Sequence, residues 1–218
     1  MSSIVLAGDT SGTVTLQAPA VAGSAVITLP TTSGTTMVLS SAVSAVGQIP
    51  FSTDGSTLTP TAKIVSGTAV ATTSGTTVDF TGIPSWAKRI TIMFGGVSTT
   101  GTSPLLVQLG ISTGPEITGY VGTSAQYANG NTTSVGSTVA SGFSMVQTSA
   151  ADVVYGSMVL TNISGNTWVC SANINNTATV MCTITGQKAL AAVLDRVRIT
   201  TVGGTATFDA GSINILYE

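Results

Sequence analysis

The sequence predicts an all-β protein: an antiparallel β-sandwich of the jelly-roll type, preceded by a small β-rich segment. Three observations carry this expectation. Apolar and polar residues alternate with period two in Val197-Arg198-Ile199-Thr200 and again in Ile213–Tyr217, with no helical period competing. Between residues 64 and 218 about eight to ten such runs are separated by turn chemistry at sandwich-like spacing. Charged residues make up only 6% of the chain, against roughly 25% in ordinary globular proteins, so Ser, Thr, Asn and Gly must keep it in solution.

In the stretch Leu194–Glu218, Val197 and Ile199 are expected on one face and Arg196, Arg198 and Thr200 on the other. Gly203-Gly204 tolerates the positive φ of a tight turn, so a hairpin is expected between the two closing strands. Ile213, Ile215 and Tyr217 share the face that would enter the core, which leaves Asn214 and Leu216 pointing outward. This last strand is expected to lie inside a sheet rather than to trail as a tail.

Working back along the chain, residues 1–60 read as an attachment and oligomerisation segment ending in a linker, and residues 61–218 as the sandwich domain. Ile4–Ala7, Val14–Ala18, Val26–Leu29 and Met37–Leu39 are short strand candidates joined by Gly, Pro and Asp turns. Four such strands bury little core unaided, so interleaving with other copies or docking onto another protein is expected. Residues 41–63 break the alternation and read as the linker, with room for one helical turn at Ser41–Val46. Thr-Ser-Gly-Thr occurs at Thr10–Thr13, Thr32–Thr35 and Thr73–Thr76 at unequal intervals, which is reused turn chemistry rather than a fixed-period repeat.

From Ile64 the expected strands are Ile64–Val70, Thr77–Phe80, Arg89–Phe94, Leu105–Leu109, a stretch around Gly142–Val146, Val154–Thr161, Thr167–Ile174, Val180–Thr185 and the closing pair. Ile83-Pro84-Ser85-Trp86 reads as a corner before a strand that directs Ile90, Ile92 and Phe94 to one side. Residues 111–141, rich in Gly, Ser, Thr and Asn, read as one long irregular loop. Loops on rigid scaffolds are where recognition concentrates, so Tyr120, Tyr127, Asn129 and Asn131 are the candidate receptor contacts. Tyrosine offers a large contact area at low entropic cost. Trp86 and Trp168 are expected to pack against a sheet rather than to serve as glycan platforms.

Several functions find no footing. There is no histidine, so no Ser-His-Asp or Cys-His arrangement can form. A glycosidase needs only two carboxylates, but the eight here are scattered, and Asp195 and Asp209 are expected to pair with Arg196 or Arg198 or to cap turns. No Asp-x-Asp cluster suggests calcium, and Cys170 and Cys182 lack zinc spacing. They flank Asn175-Asn176 almost symmetrically and are expected to be buried free thiols. No catalytic residue, cofactor or metal site is therefore expected. A net charge of −2 gives no basic footprint for nucleic acid. No apolar run is long enough for membrane insertion as a helix, and the first residues lack the basic and apolar regions of a signal peptide, so assembly in a cytoplasm is expected.

Three stretches carry a family resemblance: Thr81-Gly82-Ile83-Pro84-Ser85-Trp86-Ala87-Lys88-Arg89-Ile90-Thr91 with Gly95-Gly96-Val97-Ser98, Asp195–Thr200 through Phe208–Asn214, and Ala7–Leu16 with Ala18-Pro19. The first two resemble a module common in fibre and minor structural proteins of tailed bacteriophages, and the third is similar to the attachment end of such proteins. The resemblance implies a homotrimeric, non-enzymatic virion component assembled in the host cytoplasm, whose partners are copies of itself and other capsid or tail proteins. Its shortness and lack of a heptad shaft point to a short fibre, a head fibre or a capsid decoration. The second reading is a module at a fibre tip that binds a receptor or a host surface glycan.

Overall fold

The computed structural model describes residues 64–128, 135–147, 149–176 and 180–218, together with four short strands nearer the N-terminus. Among the described residues there is no helix, and the chain divides into two units: Met1–Val46 with Pro50–Pro60, and Gly47–Ile49 with Thr61–Glu218.

In the N-terminal part, β1 (Ser3–Ala7) and β2 (Thr13–Gln17) pair antiparallel, from Ser3 opposite Gln17 to Ala7 opposite Thr13. A second pair, β3 (Ile49–Ser52) and β4 (Leu58–Thr61), forms where the loss of alternation predicts a linker. The expected strands Val26–Leu29 and Met37–Leu39 and the helical turn at Ser41–Val46 lie outside the described residues.

The large unit is an antiparallel β-sandwich. Its strands are β5 (Val65–Ser66), β6 (Val70–Ala71), β7 (Val78–Thr81), β8 (Arg89–Thr99), β9 (Leu105–Ile111), β10 (Gly114–Pro115), β11 (Tyr120–Ala128), β12 (Val135–Ser137), β13 (Phe143–Ser144), β14 (Val154–Ser164), β15 (Thr167–Asn176), β16 (Val180–Ala189), β17 (Arg196–Thr201) and β18 (Phe208–Tyr217). One sheet has nine strands, ordered β12-β11-β16-β15-β14-β8-β18-β5, with β6 also on β18. The other has five, ordered β10-β9-β17-β7, with β13 also on β9. The total exceeds the eight to ten strands expected, because short pieces such as β10 and β12 extend the sheets.

The core lies between the two sheets. Ile90, Ile92 and Phe94 of β8, Met158 and Leu160 of β14, and Ile213 and Ile215 of β18 face Val107, Leu109, Val197 and Ile199 of the smaller sheet, all of them buried. The alternation expected along β8, β17 and β18 is present at their central residues; Thr200, expected outward, is instead buried with its hydroxyl donating to Thr76 O at 2.9 Å, and Tyr217, expected in the core, is half-buried. Trp168 is buried in the same core.

Two expectations are corrected. The closing strands do not form a hairpin: β17 pairs with β7 and β9, whereas β18 pairs with β8, β5 and β6 in the opposite sheet. The Gly203-Gly204 turn is real, with Gly204 at φ 68° and its N–H donating to Thr201 O at 2.9 Å. Residues beyond it carry the chain across the core. A strand with one apolar face satisfies that face equally well from either sheet, so alternation does not choose between them. The second correction concerns residues 111–141, which hold β10, β11 and β12 rather than one irregular loop. The inward positions of β11 are Tyr120, Gly122, Ser124 and Gln126, so its buried side carries almost no apolar pattern. Gly122 is required there because an added Cβ would lie 2.5 Å from Thr185 O.

Candidate recognition surface

The structure separates the four candidate contact residues. Tyr120 is a core residue, 5% exposed, which contradicts its expected place in a recognition loop. Its ring meets Phe143 edge-on at 5.1 Å between centroids. Its hydroxyl accepts from Leu109 N–H at 2.6 Å and can donate to Glu116 O at 3.0 Å or Leu109 O at 3.2 Å. Burial pushes its phenol well above the usual range. Tyr120 thus ties β11 to β9 and has no face to offer a ligand. Tyr127, at the far end of β11, is 52% exposed. Asn129 and Asn131 lie outside the described residues.

Beside Tyr120 lies a buried ion pair. Lys188 on β16 is 5% exposed, and its Nζ is 2.5 Å from Glu116 Oε2, 5.5 Å from the Tyr120 ring centroid, and donates to Ala189 O at 2.7 Å. Glu116 Oε1 accepts from Ala191 N–H at 2.8 Å. Burial alone would raise the Glu116 pKa, but the hydrogen bonds from Lys188 and Ala191 and the Lys188 charge outweigh it and hold the carboxyl below its ordinary value. Every donor here is engaged in holding segments together, which is a structural role.

Several other charged groups are similarly occupied. Arg198 makes a two-pronged contact with Asp79, at 2.8 Å and 2.7 Å. Asp195 is 3.6 Å from Arg196, and Asp209 accepts from the Ser98 hydroxyl. Asp152 Oδ2 accepts from Asn176 Nδ2 at 3.0 Å and from Ser149 N–H at 3.0 Å. Among the described residues no three His, Cys, Asp or Glu gather in metal-binding range. Cys170 and Cys182 are free and buried; burial raises both thiols, that of Cys170 to about 12. A small pocket of ≈ 60 Å³ beside Trp168 is lined by Lys88, Asn162 and Asn166 among others, and is sized for water rather than substrate.

What remains open is the outer face of the nine-stranded sheet. Strands β14, β15, β16 and β11 lie side by side and carry one charged residue between them, Lys188, which points inward. Their outward side chains fall in cross-strand rows. Val159, Ser171, Thr185 and Thr123 form one row, and Ser157, Asn173, Thr183 and Ala125 the next. The end row is Tyr155, Asn175, Met181 and Tyr127. Tyr155 is 51% exposed and was not singled out from the sequence; its alternation within β14 was the signal that could have placed it outward. Towards β8 and β18 the face becomes more apolar, with Met93, Val159 and Leu216 half-buried.

Trp86 stands at the corner before β8 with 41% of its surface exposed, its ring tilted against Tyr217 at 5.8 Å. No helix among the described residues is long and apolar enough to cross a membrane. Comparison with models of protein families, with curated proteins and with solved structures finds no match.

Proposed function

We propose that this protein is a non-enzymatic structural component of a tailed-phage virion, a homotrimeric fibre or decoration protein attached through its N-terminal segment. The observation that carries the reading is the broad outer face of the nine-stranded sheet, which is uncharged over four adjacent strands and becomes apolar around Met93, Val159 and Leu216. A monomer that relied on its own surface for solubility would place charge there. On the β18–β8–β14 side the outward Arg89 is neutralised by Glu218 at 2.8 Å, so identical faces meet there with little like-charge repulsion and copies of the chain are the natural cover. The resemblance of residues 7–19, 81–98 and 195–214 to phage structural modules is what supports a virion as the setting of that assembly. Light scattering on the purified chain tests the trimer, with three chain masses expected and a clean monomer at micromolar concentration opposing it. Removing residues 1–60 tests attachment: the remaining sandwich should fold and fail to join particles, and incorporation at normal copy number would place the anchor elsewhere.

A second reading, recognition of a host surface glycan or other receptor, is favoured by one observation: Tyr127 and Tyr155 stand exposed in a single row at one end of the same face.

A further inference from the structure

We propose that the end row Tyr155–Asn175–Met181–Tyr127 is a binding strip for a neutral oligosaccharide, which lies across the strands between the two phenol rings. This rests on the second reading above and gives it a site and a ligand class. Tyr155 is opposite Asn175, Asn175 opposite Met181, and Met181 opposite Tyr127 on four consecutive strands. Three strand intervals place the tyrosines about 14 Å apart, the reach of a short saccharide. Side chains of a sheet stand roughly perpendicular to it, so the four project from one face, with Asn175 and Met181 between the tyrosines in the row. Both rings are about half exposed, and neither hydroxyl has a hydrogen bond among the described residues.

The place of Tyr155 is built by the backbone. The register between β14 and β8 shifts at Val154/Tyr155, and β18 shifts against β8 at the same level. Gly96 and Gly211 take positive φ there, 70° and 92°. The Tyr155 ring lies over Gly96, where an added Cβ would be at ordinary contact distance, 3.6 Å from Cε1. Paired bulges of this kind re-aim a side chain and recur beside functional sites.

The chemistry selects the ligand. An anionic glycan, a nucleic acid or an acidic peptide would need cations, and the four strands offer none outward. A neutral sugar ring has apolar C–H faces for the tyrosines and hydroxyls for the amides of Asn173 and Asn175, both exposed.

The test is affinity electrophoresis of the full chain in gels containing dextran, mannan or galactan, with polygalacturonate as the anionic control. At least one neutral polymer should retard the protein, and added salt should change that little. Tyr155→Ala and Tyr127→Ala should each weaken retardation about tenfold, and the double variant should abolish it. Tyr→Phe at both positions should keep most of it. Thermal unfolding verifies that each variant is folded. Retardation that persists in the double alanine variant overturns this strip while leaving glycan recognition elsewhere on the chain. No retardation by any of the three neutral polymers overturns the strip, and leaves the second reading only a receptor of another chemistry. Retardation by polygalacturonate alone overturns the ligand class. A fall in assembly mass in Tyr155→Ala assigns the row to a second copy of the chain and overturns the proposal.

Discussion

Cys170 and Cys182 lie on paired strands yet do not face each other: Cys170 is opposite Gly186, and Cys182 is opposite Ile174. Their near symmetry about Asn175-Asn176 in the sequence is broken by register, and a disulfide between them would require the strands to slide. Both thiols should resist a water-soluble disulfide reagent in the native protein and react at once in denaturant. Fast native labelling would show that β15 and β16 open readily.

The same thiols make alkali destabilising. The Cys170 thiol ionises near its ordinary value of 9.0 when the chain is unfolded and only at about 12 when folded. Between those values the unfolded chain binds fewer protons than the native one, so stability falls as pH rises. The slope approaches about 1.4 kcal/mol per pH unit for such a thiol. Cys170→Ala should flatten the alkaline limb of a denaturation–pH curve; an unchanged limb would assign it to other groups.

Glu116 acts at the other end of the pH scale. Its carboxyl is held below the ordinary value, so its contribution is present above the unfolded carboxylate range and is lost as pH falls through the lowered value. Glu116→Gln leaves Lys188 buried without its counter-ion and should cost about 3 kcal/mol, towards the lower end for a broken buried pair because Glu116 keeps some contact with water. Lys188→Met in the Glu116→Gln background should recover part of that loss. Urea unfolding of the three variants decides it.

The two faces of β18 should respond differently to substitution. Ile215 is 3% exposed and packed in the core, so Ile215→Ala should cost roughly 2–5 kcal/mol. Leu216 is half-buried on the outer face. Leu216→Asp should preserve the fold and lower the assembly mass, because it sets an unpartnered charge in the proposed contact between copies. Equal loss of fold in both variants would mean that Leu216 is also intramolecular core.

Glycine positions separate strain from collision. Gly82 has φ 72° with open space where a Cβ would go, so Gly82→Ala should cost only the left-handed strain of about 1–2 kcal/mol. Gly211 has φ 92°, and a Cβ there would run into the Gly96 carbonyl, so Gly211→Ala must displace backbone and should cost clearly more. Thermal melts of the pair would show the ranking, and a reversed order would mean that the double bulge relaxes easily.

The legible part of the fold was the part that alternates. Ile90-Thr91-Ile92 and Val197-Arg198-Ile199 declare their buried faces, and both strands are present, whereas the run expected at Ile64–Val70, interrupted by Gly67, forms only the two short pieces β5 and β6. The illegible part is where the buried side is not apolar. In β11 the inward residues after Tyr120 are Gly122, Ser124 and Gln126, so the strand is specified by close backbone approach, to which hydropathy is blind. Tyr120 looks available in a stretch that reads as a loop, whereas in the strand it is the first inward residue. Tyr127 and Tyr155 share a row only through three strand pairings, a neighbourhood that depends on topology and not on local pattern.

The crossing of the chain between β17 and β18 also sets a timetable. β8 is hydrogen-bonded on one side to β14 and on the other to β18, which follows it by more than a hundred residues and whose immediate predecessor, β17, belongs to the other sheet. Contacts so distant in sequence are slow to form. Until β18 arrives, β8 presents an open edge bearing Ile90, Ile92 and Phe94 to any strand that meets it. A polypeptide halted before Phe208 would keep that edge permanently, so truncated products of this gene should accumulate as aggregates rather than as shortened soluble domains.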